Sequence, residues 1–310
     1  QLTDPIANWL PEFKDMQVVV PASADATGQK YTLVPANGPI TVEHVLTHTA
    51  GFSNSYINAI TMPMHEKASA RQSDDETVAD FVKRLAALPL NYHPGEEWQY
   101  SRATCVVGRL VEVMSGQTLD AFFRERIFQP LGMHDTHFYL PHEKLGRFVA
   151  QYQPEGDDNR INLVDAPTAD SRFANENGTY FMGSGGLVST TADYWRFQQM
   201  MLNGGQLDGT RILGRKTVEL ITANHTGDLP LWLRGPGFGF GLGYSVELDM
   251  GEANVPTSVG TYGWGGAYCT YFWVDPAEQV VGIVMTQVRP YTHLNIRQDF
   301  QTLAMQAIVD

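Results

Sequence analysis

Tyr100 occupies a position in the sequence that suits acid–base chemistry. It lies between a Pro94-Gly95 loop and a helical segment that begins at Ala103, a rigid place from which a side chain can point into a cleft. A phenol, whose pKa is about 10, is a poor base at neutral pH. A nearby lysine ammonium favours the phenolate and makes it usable as a base. Taken alone, a tyrosine in this setting is more often a half-buried structural residue.

A second segment that could support chemistry is YGWGGA, which covers Tyr262 to Ala267 and begins a predicted strand. Gly265 and Gly266 would let a substrate acyl group approach the strand backbone, because neither carries a side chain. Backbone N–H groups at such an edge can stabilise the oxyanion of a tetrahedral intermediate. Taken alone, adjacent glycines more often indicate a bulge or turn, and Trp264 more often belongs to a core.

No self-contained catalytic motif is present in the chain. The patterns G-x-S-x-G, S-x-x-K, H-E-x-x-H and C-x-x-C do not occur. His134, His137 and His142 lie close together, but their spacing matches no standard zinc site, which needs three or four ligands in a defined geometry. We therefore expect no metal and no cofactor.

The elements that must position these residues change character along the chain. Residues 41–140 show mainly helical spacing, whereas 238–287 are rich in aromatic and β-branched residues and predict at least three antiparallel strands. Phe238 to Leu248 alternates like one strand, and residues 275–278 form a predicted hairpin turn. Residues 295–309 predict a closing helix on this sheet. Helices followed by an antiparallel sheet indicate an α+β fold.

A third segment, ITVEHVLTHTAG from Ile40 to Gly51, completes an ordered set with the Tyr100 and Tyr262 to Ala267 segments. Together they resemble the β-lactamase-related serine hydrolases: class C β-lactamases, D,D-peptidases and family VIII carboxylesterases. The resemblance runs over nearly the whole chain. It implies an antiparallel sheet flanked by helices, with residues 1–145 as a mainly helical lobe and 146–310 as a sheet-containing lobe of one catalytic domain.

The resemblance assigns roles to particular residues. Tyr100 matches the proton-exchanging tyrosine of the family's Y-x-N motif, and Trp264-Gly265-Gly266 matches the motif that lines the sheet edge. Ala267 falls where the family supplies a backbone N–H to the oxyanion hole. The nucleophilic serine and its lysine belong to S-x-x-K, which this chain lacks. We expect them, together with the early strands of the sheet, upstream of residue 1. His48 is expected to be a structural turn residue.

Two departures from the family pattern bear on the substrate. Arg102 stands where the family usually has asparagine, which puts classical β-lactam recognition in doubt because arginine is longer and always charged. Trp264 replaces a lysine that can attract a substrate carboxylate, which an indole cannot do. Both departures favour short-chain neutral esters. The alternatives are a β-lactamase or D,D-peptidase of the same fold, and a non-catalytic homologue that binds peptidoglycan or a partner protein.

The composition limits the possible partners. The formal net charge of −13 disfavours binding to nucleic acid. No stretch of sequence is long and apolar enough to cross a bilayer. Cys105 and Cys269 are expected to be buried thiols rather than a disulfide, which fits a cytoplasmic protein. The expected partner is a small ester or a β-lactam-like molecule, and the oligomeric state is left open.

Overall fold

The computed structural model describes residues 1–22, 31–53, 61–70, 73, 75–156 and 160–309 of the chain. These residues form two compact units. The first comprises Gln1–Phe122, Gly178–Gly186 and His225–Leu233, and the second comprises Phe123–Asn177, Leu187–Asn224 and Arg234–Asp310. Residues 123–145, expected in the helical lobe, group with the second unit, and residues 178–186 and 225–233 return to pack with the first.

The first unit is mainly helical, as the spacing predicts, but it also contains an antiparallel hairpin that the sequence analysis did not predict. Short 3-10 turns at Ile6–Asn8 and Pro11–Phe13 precede this hairpin. Its strands and the helices that follow are β1 (Gln17–Pro21), β2 (Tyr31–Pro35), α1 (Val42–Leu46), α2 (Met62–Ser69), α3 (Val78–Ala86), α4 (Ala103–Ser115) and α5 (Leu119–Phe123).

Two of these helices begin at threonine caps, as local sequence dictates. The Thr41 hydroxyl accepts a hydrogen bond from the backbone N–H of His44 at 3.2 Å and begins α1. The Thr77 hydroxyl accepts from the N–H of Asp80, whose carboxylate accepts from the Thr77 N–H at 3.0 Å and completes a capping box for α3. Each cap contributes about 1 kcal/mol. The two caps fix where the helices that frame the first core begin.

The core of the first unit lies where α1, α3 and α4 meet. Each helix contributes an apolar stripe at the spacing expected for one buried face. The buried side chains from these helices are Val45, Val78, Phe81, Val82, Leu85, Ala103, Cys105, Val106 and Leu110.

The second unit contains the main sheet and a larger number of short elements. A π-helical turn at Arg124–Phe128 continues α5, and a 3-10 helix covers His142–Arg147. The other elements are α6 (Gln129–Leu131), β3 (Gln151–Glu155), β4 (Arg160–Asp165), α7 (Thr191–Leu202), β5 (Gln206–Leu207), β6 (Thr210–Arg211), α8 (Arg215–Ile221), β7 (Phe238–Phe240), β8 (Ser245–Glu247), α9 (Met250–Ala253), β9 (Tyr262–Gly265), β10 (Tyr271–Asp275), β11 (Val280–Val284) and α10 (Ile296–Gln306).

Strands β7 to β11 form one antiparallel sheet in which sequence neighbours are also spatial neighbours. The α+β prediction, the antiparallel strands within 238–287 and the closing helix are thereby confirmed. Phe238 to Leu248, predicted as one strand, is instead split into β7 and β8. The Gly241 N–H donates to the Tyr244 carbonyl at 2.7 Å, and Gly243 adopts a φ of 106°. That tight turn reverses the chain within a segment whose apolar alternation looks continuous.

The hairpin turn predicted at residues 275–278 is held by the first residue of the turn. One oxygen of the buried Asp275 carboxylate accepts from the N–H groups of Ala277 and Glu278, both at 3.1 Å. The other oxygen accepts from the N–H of Ser258 at 2.9 Å. Three main-chain donors therefore account for a carboxylate with no exposed surface.

The two faces of the sheet are covered by different helices. On one face, Phe272 and Val274 of β10 join the core with Met200 and Met201 of α7. On the other face, Tyr271 and Trp273 pack with Met305 of α10. This alternation along β10 is the period of two expected for a strand that is buried on both sides. None of the helices in the described part of the chain is long and apolar enough to cross a membrane.

The contact between Gly282 and Trp273 gives a test of the packing on this sheet. A Cβ added to Gly282 would lie 2.2 Å from Cη2 of Trp273, whose side chain is 1% exposed and has no room to move. We expect Gly282→Ala to lower the free energy of unfolding by roughly 1–3 kcal/mol through overpacking. Guanidinium denaturation measures this loss. Gly146→Ala is the control, because its added Cβ meets nothing within 4 Å; equal stability of the two variants would contradict the packing.

Candidate functional site

Tyr100 lies in the first unit, in the loop that leads into α4. Its side chain is partly exposed, and its ring centroid lies 4.8 Å from that of His48 at an interplanar angle of 54°. The prediction placed Tyr100 at a rigid position before a helix, and the contacts of its two sequence neighbours give that rigidity a structural cause.

His48 holds both neighbours of Tyr100. The His48 carbonyl accepts from the N–H of Gln99 at 2.9 Å, and the His48 Nδ1 accepts from the N–H of Ser101 at 3.2 Å. The Tyr92 hydroxyl also donates to the His48 carbonyl, at 3.3 Å. The residues on either side of Tyr100, Gln99 and Ser101, are therefore both hydrogen-bonded to one residue about fifty positions away.

The backbone and burial of His48 make it a special position. Its φ is 60°, in the left-handed region that non-glycine residues rarely adopt, and its side chain is 2% exposed. Burial lowers the pKa of His48 to about 3, so the ring is neutral at physiological pH. Neutrality is required, because Nδ1 must keep its lone pair to accept from Ser101, which places the ring proton on Nε2. The sequence analysis treated His48 only as a turn residue and missed this role.

Arg102 lies at the N-cap position of α4, two residues after Tyr100. Its Nη1 lies 3.9 Å from the Met182 sulfur, and its Nε is buried. Among the described residues, no acceptor pairs with that Nε and no carboxylate forms an ion pair with the guanidinium. Burial, assisted by the Arg102 charge, lowers the pKa of His65 to about 4. The start of α4 therefore carries a positive charge that no described carboxylate neutralises.

The segment around Gly183 returns to the first unit and packs directly on α4. A Cβ at Gly183 would lie 2.1 Å from the carbonyl oxygen of Thr104, so only glycine fits. The next residue, Ser184, places its Oγ 3.0 Å from the Cys105 sulfur. Cys105 and Cys269 are both free and buried, as predicted, and burial raises the pKa of the Cys105 thiol.

Trp264, Gly265 and Gly266 lie in the second unit, at the end of β9. The Trp264 ring packs edge-to-face on Phe240, with centroids 5.3 Å apart, and remains half-buried beside the second core. Side chains of the protein itself occupy the space next to both glycines. A Cβ at Gly265 would lie 2.6 Å from Nη1 of Arg297, and one at Gly266 would lie 2.1 Å from the Thr270 Oγ1. Internal packing is therefore one reason for these two glycines, and their predicted role in admitting a substrate stays a prediction.

Ala267 begins the turn between β9 and β10. It is exposed, and the N–H of the preceding Gly266 donates to the Thr270 carbonyl at 2.8 Å. Within the described ranges, no protein group accepts a hydrogen bond from the Ala267 N–H. This main-chain donor therefore remains available to an acceptor from outside the chain.

The predicted site residues thus divide between the two units. Tyr100 and Arg102 belong to the first, and Trp264, Gly265, Gly266 and Ala267 belong to the second. The roles that the resemblance assigns to Tyr100 and Ala267 would bring the Tyr100 hydroxyl and the Ala267 N–H close together, and this stays a prediction.

Two of the three clustered histidines contact main-chain carbonyl groups through their rings. A ring nitrogen of His137 lies 3.2 Å from the carbonyl oxygen of His134, and one of His142 lies 3.0 Å from that of Ala174. In the part of the chain that the structure describes, no group of three or more His, Cys, Asp or Glu residues could hold a metal ion.

Comparison with known proteins places these features in a family context. The family model described as Beta-lactamase matches residues 1–304. Protein Rv1367c of Mycobacterium tuberculosis is 31% identical over 303 residues, which cover 93% of this chain and 71% of that protein. Esterase EstB of Burkholderia gladioli is 31% identical over 302 residues, covering 92% and 70%. The structure of EstCE1, a hydrolase with promiscuous acyltransferase activity, superposes with a TM-score of 0.76 at 25% identity, covering 98% of this chain and 77% of EstCE1.

The buried neutral ring of His48 predicts a pH dependence of stability. Below about pH 6.5 the unfolded chain binds a proton on this histidine, whereas the folded protein does so only near the lowered pKa of about 3. Between these values the unfolded state holds more protons, so this group lowers the free energy of unfolding as the pH falls, by up to about 1.4 kcal/mol per pH unit. Above pH 7 neither state is protonated and the effect vanishes.

We expect His48→Asn to reduce the slope of that decline. Asparagine tolerates a positive φ and does not titrate. Urea unfolding of both proteins from pH 3 to pH 8 measures the two slopes. The difference in unfolding free energy between the proteins should be constant above pH 7 and shrink as the pH falls. Parallel curves down to pH 4 would show that His48 is not a buried neutral histidine.

Proposed function

Because the chain belongs to the β-lactamase family, we propose that it acts as a serine hydrolase that cleaves short-chain acyl esters through an acyl-enzyme. The nucleophilic serine and its lysine come from an S-x-x-K segment upstream of Gln1 in the full-length protein. Tyr100 exchanges the proton of the serine, and the Ala267 N–H is one donor of the oxyanion hole. Trp264, Gly265, Gly266 and Arg102 line the substrate.

The proposed reaction proceeds in two balanced halves. In the first, the serine hydroxyl gives its proton to the Tyr100 phenolate while its oxygen attacks the ester carbonyl. The oxyanion that forms accepts from the Ala267 N–H. Collapse of the intermediate breaks the ester bond, and the leaving alkoxide takes the proton from Tyr100. A water molecule repeats the sequence on the acyl-enzyme and releases the carboxylic acid.

One observation carries the proposal: the restrained backbone on both sides of Tyr100, which carries the phenol. General acid–base catalysis needs a group held within hydrogen-bond reach of the proton that it moves. Hydrogen bonds to His48 restrain the residues on both sides of this tyrosine, Gln99 and Ser101. An ordinary surface tyrosine has no need of such restraint. The names of EstB, an esterase, and EstCE1, a hydrolase, support the ester as the substrate class.

A second candidate, a β-lactamase or D,D-peptidase activity, is favoured by Arg102. Substrates of those enzymes carry a carboxylate, and the Arg102 guanidinium has no carboxylate partner among the described residues. Trp264 argues in the opposite direction. Its indole offers an apolar face that suits an alkyl or acyl group rather than an anion.

Replacement of Tyr100 tests the catalytic assignment in the full-length protein. Tyr100→Phe removes only the hydroxyl, so it should lower kcat on p-nitrophenyl butyrate by roughly 10²–10⁴-fold, the usual range for a general acid–base group. Thermal denaturation and intact-mass measurement after fluorophosphonate treatment report folding and the reactive serine in the same samples. Unchanged kcat in a folded variant would return Tyr100 to a structural role.

Competing substrates test the assignment to esters. We expect the full-length protein to cleave p-nitrophenyl butyrate with a higher kcat/KM than nitrocefin. Trp264→Lys should raise nitrocefin cleavage by adding a partner for the β-lactam carboxylate, and Arg102→Asn should lower it. Equal rates for the two substrates in the wild type would favour the β-lactamase assignment. If neither is cleaved although S-x-x-K is present, a peptide donor or a non-catalytic binding role becomes the better assignment.

A further inference from the structure

Arg297, in the first turn of α10, contacts the peptide group that precedes Ala267. Its Nη2 donates to the Gly266 carbonyl oxygen, and its Nη1 donates to the Tyr291 hydroxyl. The guanidinium carbon lies 4.0 Å from the centroid of the Tyr291 ring and 6.0 Å from that of Tyr271. Within the described residues, no carboxylate pairs with Arg297. The full positive charge of this side chain is therefore directed at a main-chain carbonyl and two aromatic rings.

The Gly266 carbonyl and the Ala267 N–H belong to the same peptide unit. A trans peptide is planar, and its C=O and N–H point in opposite directions. A group that fixes the carbonyl therefore also fixes the direction of the N–H. Across the described ranges, Arg297 is the sole protein hydrogen-bond partner of this peptide unit, since nothing accepts from the Ala267 N–H.

The two glycines make such an anchor necessary. Glycine populates a wide range of backbone conformations, so a peptide unit that follows Gly265-Gly266 can rotate at little cost. Gly265 also makes the anchor possible, because a Cβ there would lie 2.6 Å from Nη1 of Arg297. Because Gly265 has no side chain, the guanidinium can occupy that space and contact the strand.

The hydrogen bond also acts on the strength of the Ala267 donor. A cationic donor on the Gly266 carbonyl polarises the peptide group, and hydrogen bonds in series strengthen one another. The Ala267 N–H becomes a better donor to an oxyanion, whose charge is greatest in the transition state. The stronger donor therefore raises kcat, the rate of the chemical step, and has little effect on substrate binding.

We propose that Arg297 is a positioning residue of the esterase, which orients and polarises the Ala267 N–H through the carbonyl of Gly266. The proposal rests on the function proposed above, because it requires that N–H to bind the oxyanion. Arg297 does not touch the reacting atoms, and its effect passes through a single peptide unit.

The test is a kinetic comparison of full-length variants on p-nitrophenyl butyrate. Arg297→Met should lower kcat by about 10–10²-fold, less than the loss of an oxyanion-hole donor itself, while KM changes by less than about 3-fold. The inhibition constant of a short alkylboronic acid, which forms a tetrahedral adduct with the serine, should rise by the same factor as kcat/KM falls. Arg297→Lys keeps the charge and one donor and should recover part of the loss.

Gly265→Ala provides an independent route to the same defect. It leaves Arg297 in the sequence but places a methyl group where the guanidinium lies. The losses caused by Gly265→Ala and Arg297→Met should therefore not add in the double variant, because both break one hydrogen bond. Full additivity would contradict the proposal.

Arg234→Met is the matched control. Arg234 belongs to the same unit, and its guanidinium lies 5.7 Å from the same Tyr271 ring, but its other aromatic contact is Phe238 rather than Tyr291. This variant should keep wild-type kcat and boronate affinity. If Arg297→Met is folded by thermal denaturation and matches Arg234→Met in both readouts, the positioning role is overturned while the esterase assignment stands. A wild type that carries S-x-x-K yet reacts with neither ester nor fluorophosphonate overturns both.

Discussion

The arrangement around Tyr100 depends on one buried histidine that must stay neutral. His48 accepts from the N–H of Ser101 through Nδ1 and from the N–H of Gln99 through its carbonyl. A protonated ring would turn Nδ1 into a donor and set it against another donor. Burial prevents this, because it lowers the pKa of His48 to about 3. Desolvation, usually a cost for a polar side chain, here keeps the ring neutral, and the N–H of Ser101 selects the tautomer.

In the second unit a charged side chain, rather than a neutral one, restrains a segment of backbone. The end of β9 contains Gly265 and Gly266, and glycine restricts the backbone conformation less than any other residue. Side chains from other segments occupy the space next to these glycines: Thr270 lies beside Gly266, and Arg297 lies beside Gly265. A neutral ring orders one segment and a permanent cation orders the other. The neutral imidazole of His48 can accept from an N–H group, and the guanidinium of Arg297 can donate to a carbonyl group.

The departures from the family pattern concern charge rather than architecture. In β9, the central strand of the sheet, where the family pattern named in the sequence analysis has a lysine, this chain has Trp264, whose ring packs on Phe240 and the second core. At the start of α4, where that family pattern has asparagine, it has Arg102, whose Nε is buried. Trp264 lies within β9, and Arg102 lies at the N-cap of α4.

Local interactions were predictable from the sequence alone. Asp275 begins the expected hairpin turn, because one of its oxygens accepts from main-chain groups within three residues, and Thr41 and Thr77 cap their helices over the same short range. The α+β order and the positions of Tyr100 and of the glycine pair followed from periodicity and from the family motifs. The division of residues 238–248 into two strands did not, because a tight turn interrupted an apolar pattern that continued across it.

What only the tertiary structure decided are the contacts between residues far apart in sequence. The sequence shows that His48 lies in a turn, but not that its ring reaches Ser101, and it gives no sign that Arg297 reaches Gly266. No local sequence pattern predicts either contact, because a histidine in a turn and an arginine in a helix are both common. The reason is physical: hydrogen bonds between distant segments are set by how helices and strands pack. The sequence thus determined which residues could do the chemistry, and the packing decided which residues hold them.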